Sequence, residues 1–396
     1  MSKVVYLDNN ATTMVDAKVV EEMMPYFTDY YGNPSSMHDF GGKVSEKIKT
    51  AREQVKDFMG ASLASEIVFT ASGSESANMA IRGVLEANKK HKHIITTKIE
   101  HPCVLNLYKS LEKEGYRVTY LSIDNEGNLD EQELENAICD ETVLVSVMYA
   151  NNETGIIFPV EKLAQIVKNK NPKTKFFVDA VQAAGKIKLD VKNTEIDLMG
   201  ISGHKIHAPK GIGALYIKKG TIVMPLIIGG HQEKGKRAGT ENVPYIIGLG
   251  KACELANEAL KEEETRVKFL RDKLEQGIIK SIPNARLNAS VQNRVPNTTN
   301  IGFQYIEGEL ILLHMSDAGI CASSGSACTS GSLEPSHVLR SMGIPFTALH
   351  GSIRFSLSRF TTEEEIDYVL EMLPQIIKKL NNLSPFQKEL KSLNAL

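Results

Sequence analysis

Between Glu66 and Val178 the sequence repeats one pattern. Short runs rich in β-branched and aromatic residues alternate with amphipathic stretches long enough for helices. The runs are Ile67-Val68-Phe69, His93-Ile94-Ile95-Thr96, Arg117-Val118-Thr119-Tyr120-Leu121, Val143-Leu144-Val145-Ser146-Val147 and Phe176-Phe177-Val178. Continuous apolar runs fit strands covered on both faces, and their alternation with helices fits an α/β chain with a mainly parallel sheet. Ligands of such sheets collect at the carboxyl ends of the strands. The residue after each run is therefore a candidate site residue.

The first run ends in Ala71-Ser72-Gly73-Ser74-Glu75-Ser76, where small residues enter a helix. Backbone N–H groups gathered there suit a phosphate, and a plain helix cap explains the residues as well. The segment matches neither GxxxxGK[ST] nor GxGxxG. A later strand ends at Glu100-His101-Pro102-Cys103, placing His101 to stack on a flat ligand or move a proton, or simply to bond within its loop. Val143 to Met148 leads into the amide-rich Asn151-Asn152-Glu153-Thr154-Gly155. Phe176-Phe177-Val178 runs into Asp179-Ala180-Val181-Gln182, either a capping box or an aspartate aimed at a ring nitrogen. A further buried run, Ile196 to Ile201, precedes Ser202-Gly203-His204-Lys205. A lysine just past a buried strand is placed to lose its proton and form a Schiff base, although on its own it reads first as a surface lysine in a turn. Asp179 for a pyridinium and Lys205 for an aldehyde are the two groups that pyridoxal phosphate most requires.

The rest of the chain frames these groups. Val4 to Leu7 reads as a short strand, and helices are expected over about 16–27 and 42–58. The helical pattern from Ile246 to about Ile282 contains the expected boundary. It separates a large domain, 15–256, from a smaller α+β domain, 257–396, with 1–14 packing near the latter. In the smaller part a strand lies near Thr299–Phe303 and a helix over 307–317. Then comes Ser323 to Ser332, polar and glycine-containing around Cys328, a candidate nucleophile or an incidental thiol. Ser352 to Ser358 alternates strictly, with Arg354 on the polar face, either gripping a carboxylate or solvated. Thr362-Glu363-Glu364-Glu365 opens the last long helix as a capping box, and the tail after Pro385 is expected to be loosely held.

Composition narrows the function classes. A net charge of −2 without long basic runs argues against nucleic acid. No apolar run approaches a membrane span. Five cysteines without a CxxC pair suit a reducing cytoplasm. A metal-binding scaffold built on His204, His207 and His231 finds no HExxH or CxxC spacing to support it.

These residues together resemble the pyridoxal-phosphate-dependent cysteine desulfurases of the nitrogen-fixation and iron–sulfur-assembly type, within the class V aminotransferases. The resemblance runs nearly end to end. It is carried by Tyr6-Leu7-Asp8-Asn9-Asn10-Ala11-Thr12-Thr13, Gly32-Asn33-Pro34-Ser35-Ser36, Glu100-His101, Asn151-Asn152-Glu153, Val178-Asp179-Ala180, Ser202-Gly203-His204-Lys205 and Ser324-Gly325-Ser326-Ala327-Cys328-Thr329-Ser330. Ala71-Ser72-Gly73-Ser74-Glu75 departs from the family's usual S-G-G/A-T-E-S, although Ser74 keeps the hydroxyl.

The resemblance implies the type I fold of pyridoxal-phosphate-dependent transferases. It makes Lys205 the Schiff-base lysine, Asp179 the partner of the pyridine nitrogen and His101 the ring-stacking residue and proton shuttle. Asn152 and Gln182 lie at the 3-hydroxyl side. Gly73, Ser74, Ser202 and His204 hold the phosphate, with Thr240 reaching in from the second subunit of a homodimer. Arg354, with Asn33 and Asn152, binds the carboxylate of L-cysteine, and Cys328 carries the persulfide. An iron–sulfur scaffold or other sulfur acceptor is the implied partner. No permanent metal is expected, although Cys328 transiently meets a cluster in this scheme. Another enzyme of the same fold, an aminotransferase or a selenocysteine lyase, is the alternative.

Overall fold

The computed structural model describes residues 4–324 and 335–393, so Cys328 lies outside the described residues. The chain opens with β1 (Val5–Tyr6). The expected runs then form β2 (Ile67–Thr70), β3 (His93–Thr97), β4 (Arg117–Leu121), β5 (Thr142–Met148), β6 (Lys175–Asp179), β7 (Leu198–Ser202) and β8 (Gly213–Ile217). These seven make one sheet in the order β2-β8-β7-β6-β5-β3-β4. From β7 through β4 every pairing is parallel. At the other edge β8 runs antiparallel to both β7 and β2. The connection from Ser202 to Gly213 is too short for a parallel crossover, which takes a dozen residues or more. The first apolar run therefore belongs to an antiparallel edge rather than to the parallel body.

Both faces of the sheet are covered, as its unbroken apolar runs require. Phe176 and Val178 pack with the helices Asp39–Met59 and Val243–Glu262, while Phe177 packs on the other side with Gly73–Ala87 and Pro102–Lys113. Each of these buried side chains contributes about 1.5–3 kcal/mol. Deep burial leaves a strand few ways to slip, so the residues at its carboxyl end stand at fixed points.

A smaller sheet follows, built from β9 (Ala285–Leu287), β10 (Thr298–Phe303) and, past β11 (Ile320–Cys321), β12 (Ser352–Ser356). Its order is β12-β10-β9, all antiparallel, while β1 pairs in parallel with β11. The helices Lys268–Ser281, Gly308–Asp317 and Glu363–Leu383 cover it. Val5 and Leu7 belong to this second core, so the N-terminal segment packs with the C-terminal part. The helical run from Val243 to Ser281 is continuous through a π turn at Glu263–Val267. Along it the first core ends at Ala256 and the second begins at Val267. Residues 338–349 pack back into the first core, across the expected division.

Three local expectations change. The helix expected over 16–27 divides into Ala17–Met23 and Pro25–Thr28, because Pro25 has no N–H for the helix ahead of it. The tail is not loose through its described part. A helix, Gln387–Leu393, follows Phe386, whose ring lies 5.5 Å from that of Tyr305, and Leu390 is buried. The alternating strand β12 has no solvated face. Ile353 and Phe355 enter the second core, and Ser352, Arg354 and Ser356 are buried on the opposite side.

Candidate active site

The carboxyl ends of β5, β6 and β7 meet the start of the helix Gly73–Ala87 around a cavity of about 300 Å³. Of the residues predicted for the site, the cavity gathers Gly73, Ser74, His101, Asn152, Asp179, Gln182, Ser202, His204, Lys205 and Arg354. Asn33 and Thr240 are both exposed and stand outside its lining.

Asp179 ends β6, and register with Met148 and Gly200 fixes it between β5 and β7. No helix begins after it, which removes the capping-box reading. Its Oδ1 instead accepts the Val181 N–H at 3.0 Å. Burial raises its pKa to about 6, while that bond and the charge of Lys205 act the other way. A cationic ring nitrogen would recover the charged form. Glu100 lies on the same side, with Oε1 accepting from Thr97 Oγ1 and Met148 N, both at 2.9 Å. Burial pushes Glu100 up to about 8, so near neutral pH it is mostly uncharged and Asp179 holds the negative charge.

Lys205 closes a single 3-10 turn after β7. Its Nζ donates to Asn10 O at 2.6 Å and Ala11 O at 2.7 Å. Gln182 Nε2 donates to the same Asn10 carbonyl at 3.0 Å. The N-terminal segment therefore forms part of the site, although only resemblance singled it out in the sequence.

Close to these strand ends, Ser72 caps the helix by accepting the Glu75 N–H, so the capping reading holds alongside the cradle. A Cβ on Gly73 would lie 2.8 Å from Val181 Cγ2 and 3.3 Å from Ser202 Cβ, filling the cradle. His204 Nδ1 meets Thr12 Oγ1 at 3.2 Å. Burial, then the charges of Lys205 and Lys210, bring its pKa down to about 4.

His101 caps the helix Pro102–Lys113, its Nδ1 accepting the Cys103 N–H at 3.2 Å. That bond assigns the neutral ring's hydrogen to Nε2. Burial, then the charges of Lys205 and His337, lower its pKa to about 4. Near neutral pH it is an uncharged ring with a donor edge and a face suited to stacking.

Cys103 also lines the cavity, a residue that sequence reasoning passed over. Its position two residues after His101, in the first turn of the helix that follows the strand end, was the signal that could have found it. Burial and then the Asp179 charge push this thiol up, holding it protonated and weakly nucleophilic.

Arg354 reaches the cavity from the middle of β12. Its Nη1 donates to Asn152 O at 2.9 Å, and Nη2 donates to Asp8 Oδ1 at 2.7 Å. Nε is buried without a partner among the described residues. An unpartnered N–H on a buried guanidinium is costly, and a ligand carboxylate would satisfy it.

An amine past a strand end, a buried carboxylate and a glycine cradle at a helix start are the features that pyridoxal phosphate requires. The side chains present fit that cofactor, and among the described residues no group of three or more His, Cys, Asp or Glu is placed to hold a metal. The chain belongs to the class V aminotransferases: residues 5–369 match the family described as "Aminotransferase class-V". Within that family it is similar to the cysteine desulfurase of Trichormus azollae, 60% identical over 389 residues, covering 98% of this chain and 96% of that protein. It is 53% identical to the cysteine desulfurase NifS of Azotobacter vinelandii over 382 residues, covering 96% and 94% respectively. Among solved structures, a NifS-like protein superposes with a TM-score of 0.90 at 41% identity, over 96% of this chain and all of that one.

Proposed function

We propose that this cavity removes the sulfur of L-cysteine, leaving L-alanine, with Lys205, Asp179 and Arg354 as its principal groups and Cys328 as the sulfur carrier. The enzyme is a pyridoxal-phosphate-dependent cysteine desulfurase that mobilises sulfur for iron–sulfur cluster assembly. The observation that carries the residue roles is one shared cavity, lined by Lys205, Asp179 and Arg354 together.

The cofactor, when bound, supplies an electron sink for a proton leaving the substrate Cα. The protein's own groups do the rest. Lys205 provides the amine, already aimed by two carbonyl acceptors. Asp179 would hold the ring nitrogen, His101 would stack on the ring, and Gly73, Ser74, Ser202 and His204 would hold the phosphate. Arg354, beside Asn152, takes the substrate carboxylate and so fixes which Cα bond faces the sink. The Cys328 thiolate then bonds to the substrate sulfur as the Cβ–S bond breaks. The electron pair and a proton pass to Cβ, giving L-alanine and a Cys328 persulfide.

Cys103 is the wrong thiol for this step, being held protonated in the cavity wall. His101 is the candidate to move the thiol proton at Nε2. A second copy of the chain supplies Thr240, and Asn33 also has to come from outside this cavity. Exposed Tyr31, Met37 and Ile228 give a homodimer apolar surface to bury. The persulfide passes to a scaffold or other acceptor protein in the cytoplasm.

The test is product analysis with L-cysteine and a thiol reductant. Equal amounts of L-alanine and sulfide are expected, and Cys328→Ala should lose both while retaining bound cofactor. Full desulfuration by that variant would remove Cys328 from the scheme. Amino-group transfer to a 2-oxo acid without sulfide would place the enzyme with the aminotransferases.

A further inference from the structure

The guanidinium that receives the substrate carboxylate already has a carboxylate beside it. Asp8 Oδ1 accepts from Arg354 Nη2 at 2.7 Å, and the two side chains are 20% and 3% exposed. Asp8 is held there by main chain on both sides. Ser356 N donates to Leu7 O, Asn9 N donates to Ser356 O, and Asp8 bridges to Ser356, two residues beyond Arg354. The N-terminal segment thus lies along β12 and presents one acidic group to the arginine. The other fixed contact, from Nη1 to the Asn152 carbonyl, is neutral. Among the described residues two of the five guanidinium donors are engaged, and the buried Nε–H remains open.

We propose that Asp8 is a positioning residue that sets the enzyme's affinity for its amino acid. It holds the Arg354 fork in one orientation, and its charge weakens the grip of that fork on an incoming carboxylate, so that L-alanine leaves. The inference rests on the reading of Arg354 as the carboxylate site. Two opposed effects follow from one contact. The acceptor oxygen orients the arginine and favours binding. The negative charge neutralises the arginine and disfavours a second carboxylate close by.

Substitutions separate the two effects. Asp8→Asn keeps an oxygen acceptor for Nη2 and removes the charge, whereas Asp8→Ala removes both. L-Alanine binding to the holoenzyme is followed by its change in visible absorption. The expected dissociation constant falls about fivefold in Asp8→Asn, the size of one charge contact at a partly exposed site. In Asp8→Ala it rises above that of the unaltered enzyme, and in Asp8→Glu, which restores a carboxylate, it moves back toward it.

Cysteamine, an amine with a thiol and no carboxylate, is the control: its affinity should not change in Asp8→Asn. KM for L-cysteine should fall with that of the product, while kcat does not rise. Unchanged or weaker L-alanine binding in Asp8→Asn, or an equal tightening for cysteamine, would overturn the proposal. A poorly folding Asp8→Asn leaves the Asp8→Ala and Asp8→Glu pair to decide it. Arg354→Gln tests the underlying reading separately: undiminished L-alanine binding there removes the carboxylate site itself, whatever Asp8 does.

Discussion

Strands β6 and β12 each deliver one charged group to the same cavity, by opposite routes. In β6 Phe176, Phe177 and Val178, just before Asp179, are apolar and buried on both faces of a large sheet, and the functional group sits at the strand's end. In β12 the apolar residues occupy one face alone, and Arg354 projects from the middle of the other. The first group is fixed by register with its neighbours and tuned by burial. The second is fixed by three contacts of its own: Asp8, Asn152 and the main-chain bridge to Ser323. A strand end needs only depth to become a site, whereas a mid-strand cation needs partners brought from elsewhere in the chain.

The largest effect should come from Lys205, which lines the same cavity as both groups. Lys205→Ala should cut turnover by about 10³-fold or more, as loss of a covalent catalytic group does. Borohydride treatment followed by mass measurement checks it, with cofactor mass retained only in the unaltered chain. Next is the β12 end. Arg354→Gln truncates a buried charge pair, a loss of about 2–5 kcal/mol, and should raise KM for L-cysteine by about 30-fold or more. Cofactor half-saturation, measured by absorption titration, should scarcely move. A large loss of cofactor binding there would mean that the two ends are not separable.

The β6 end answers to pH. Asp179 has its pKa raised to about 6, so in the cofactor-free protein it becomes neutral as pH falls below that value. A cationic ring nitrogen then has no charged partner. Pyridoxal phosphate affinity should weaken by about tenfold per pH unit below about 6, relative to Asp179→Asn, where that slope is absent. Equal slopes in the two proteins would detach Asp179 from the cofactor. The smallest effect expected is at Gly73→Ala, whose Cβ would press on Val181 at 2.8 Å. Pyridoxal phosphate half-saturation should rise several-fold, with KM for L-cysteine unchanged once cofactor saturates.

The same contrast explains what was legible in the sequence. Asp179 and Lys205 follow buried runs, and parallel sheets place their ligands at strand ends, so residue order made both candidates, each beside a structural reading as a capping box or a surface turn. Arg354 was likewise one of two readings, because alternation does not say whether a polar face meets water or a cavity. The burial of that face depends on Asp8 and Asn152, far away in the chain. Asn10 and Ala11 contribute backbone carbonyls, which leave no side-chain signature. The antiparallel edge formed by β2 and β8 was hidden for a related reason, since an apolar run carries no mark of its direction. Cys103 was overlooked because His101, two residues earlier, already explained the loop.

Cys103 and Cys328 make the most direct test. Cys103 lies in the cavity wall and is held protonated, whereas Cys328 is assigned as carrier from its sequence context. The holoenzyme is mixed with one equivalent of L-cysteine without reductant, quenched with an alkylating agent and mapped by peptide mass. The account predicts one L-alanine per subunit and the mass of one extra sulfur on the peptide containing Cys328. Extra sulfur on the Cys103 peptide instead, or L-alanine formed with no protein persulfide, would contradict it.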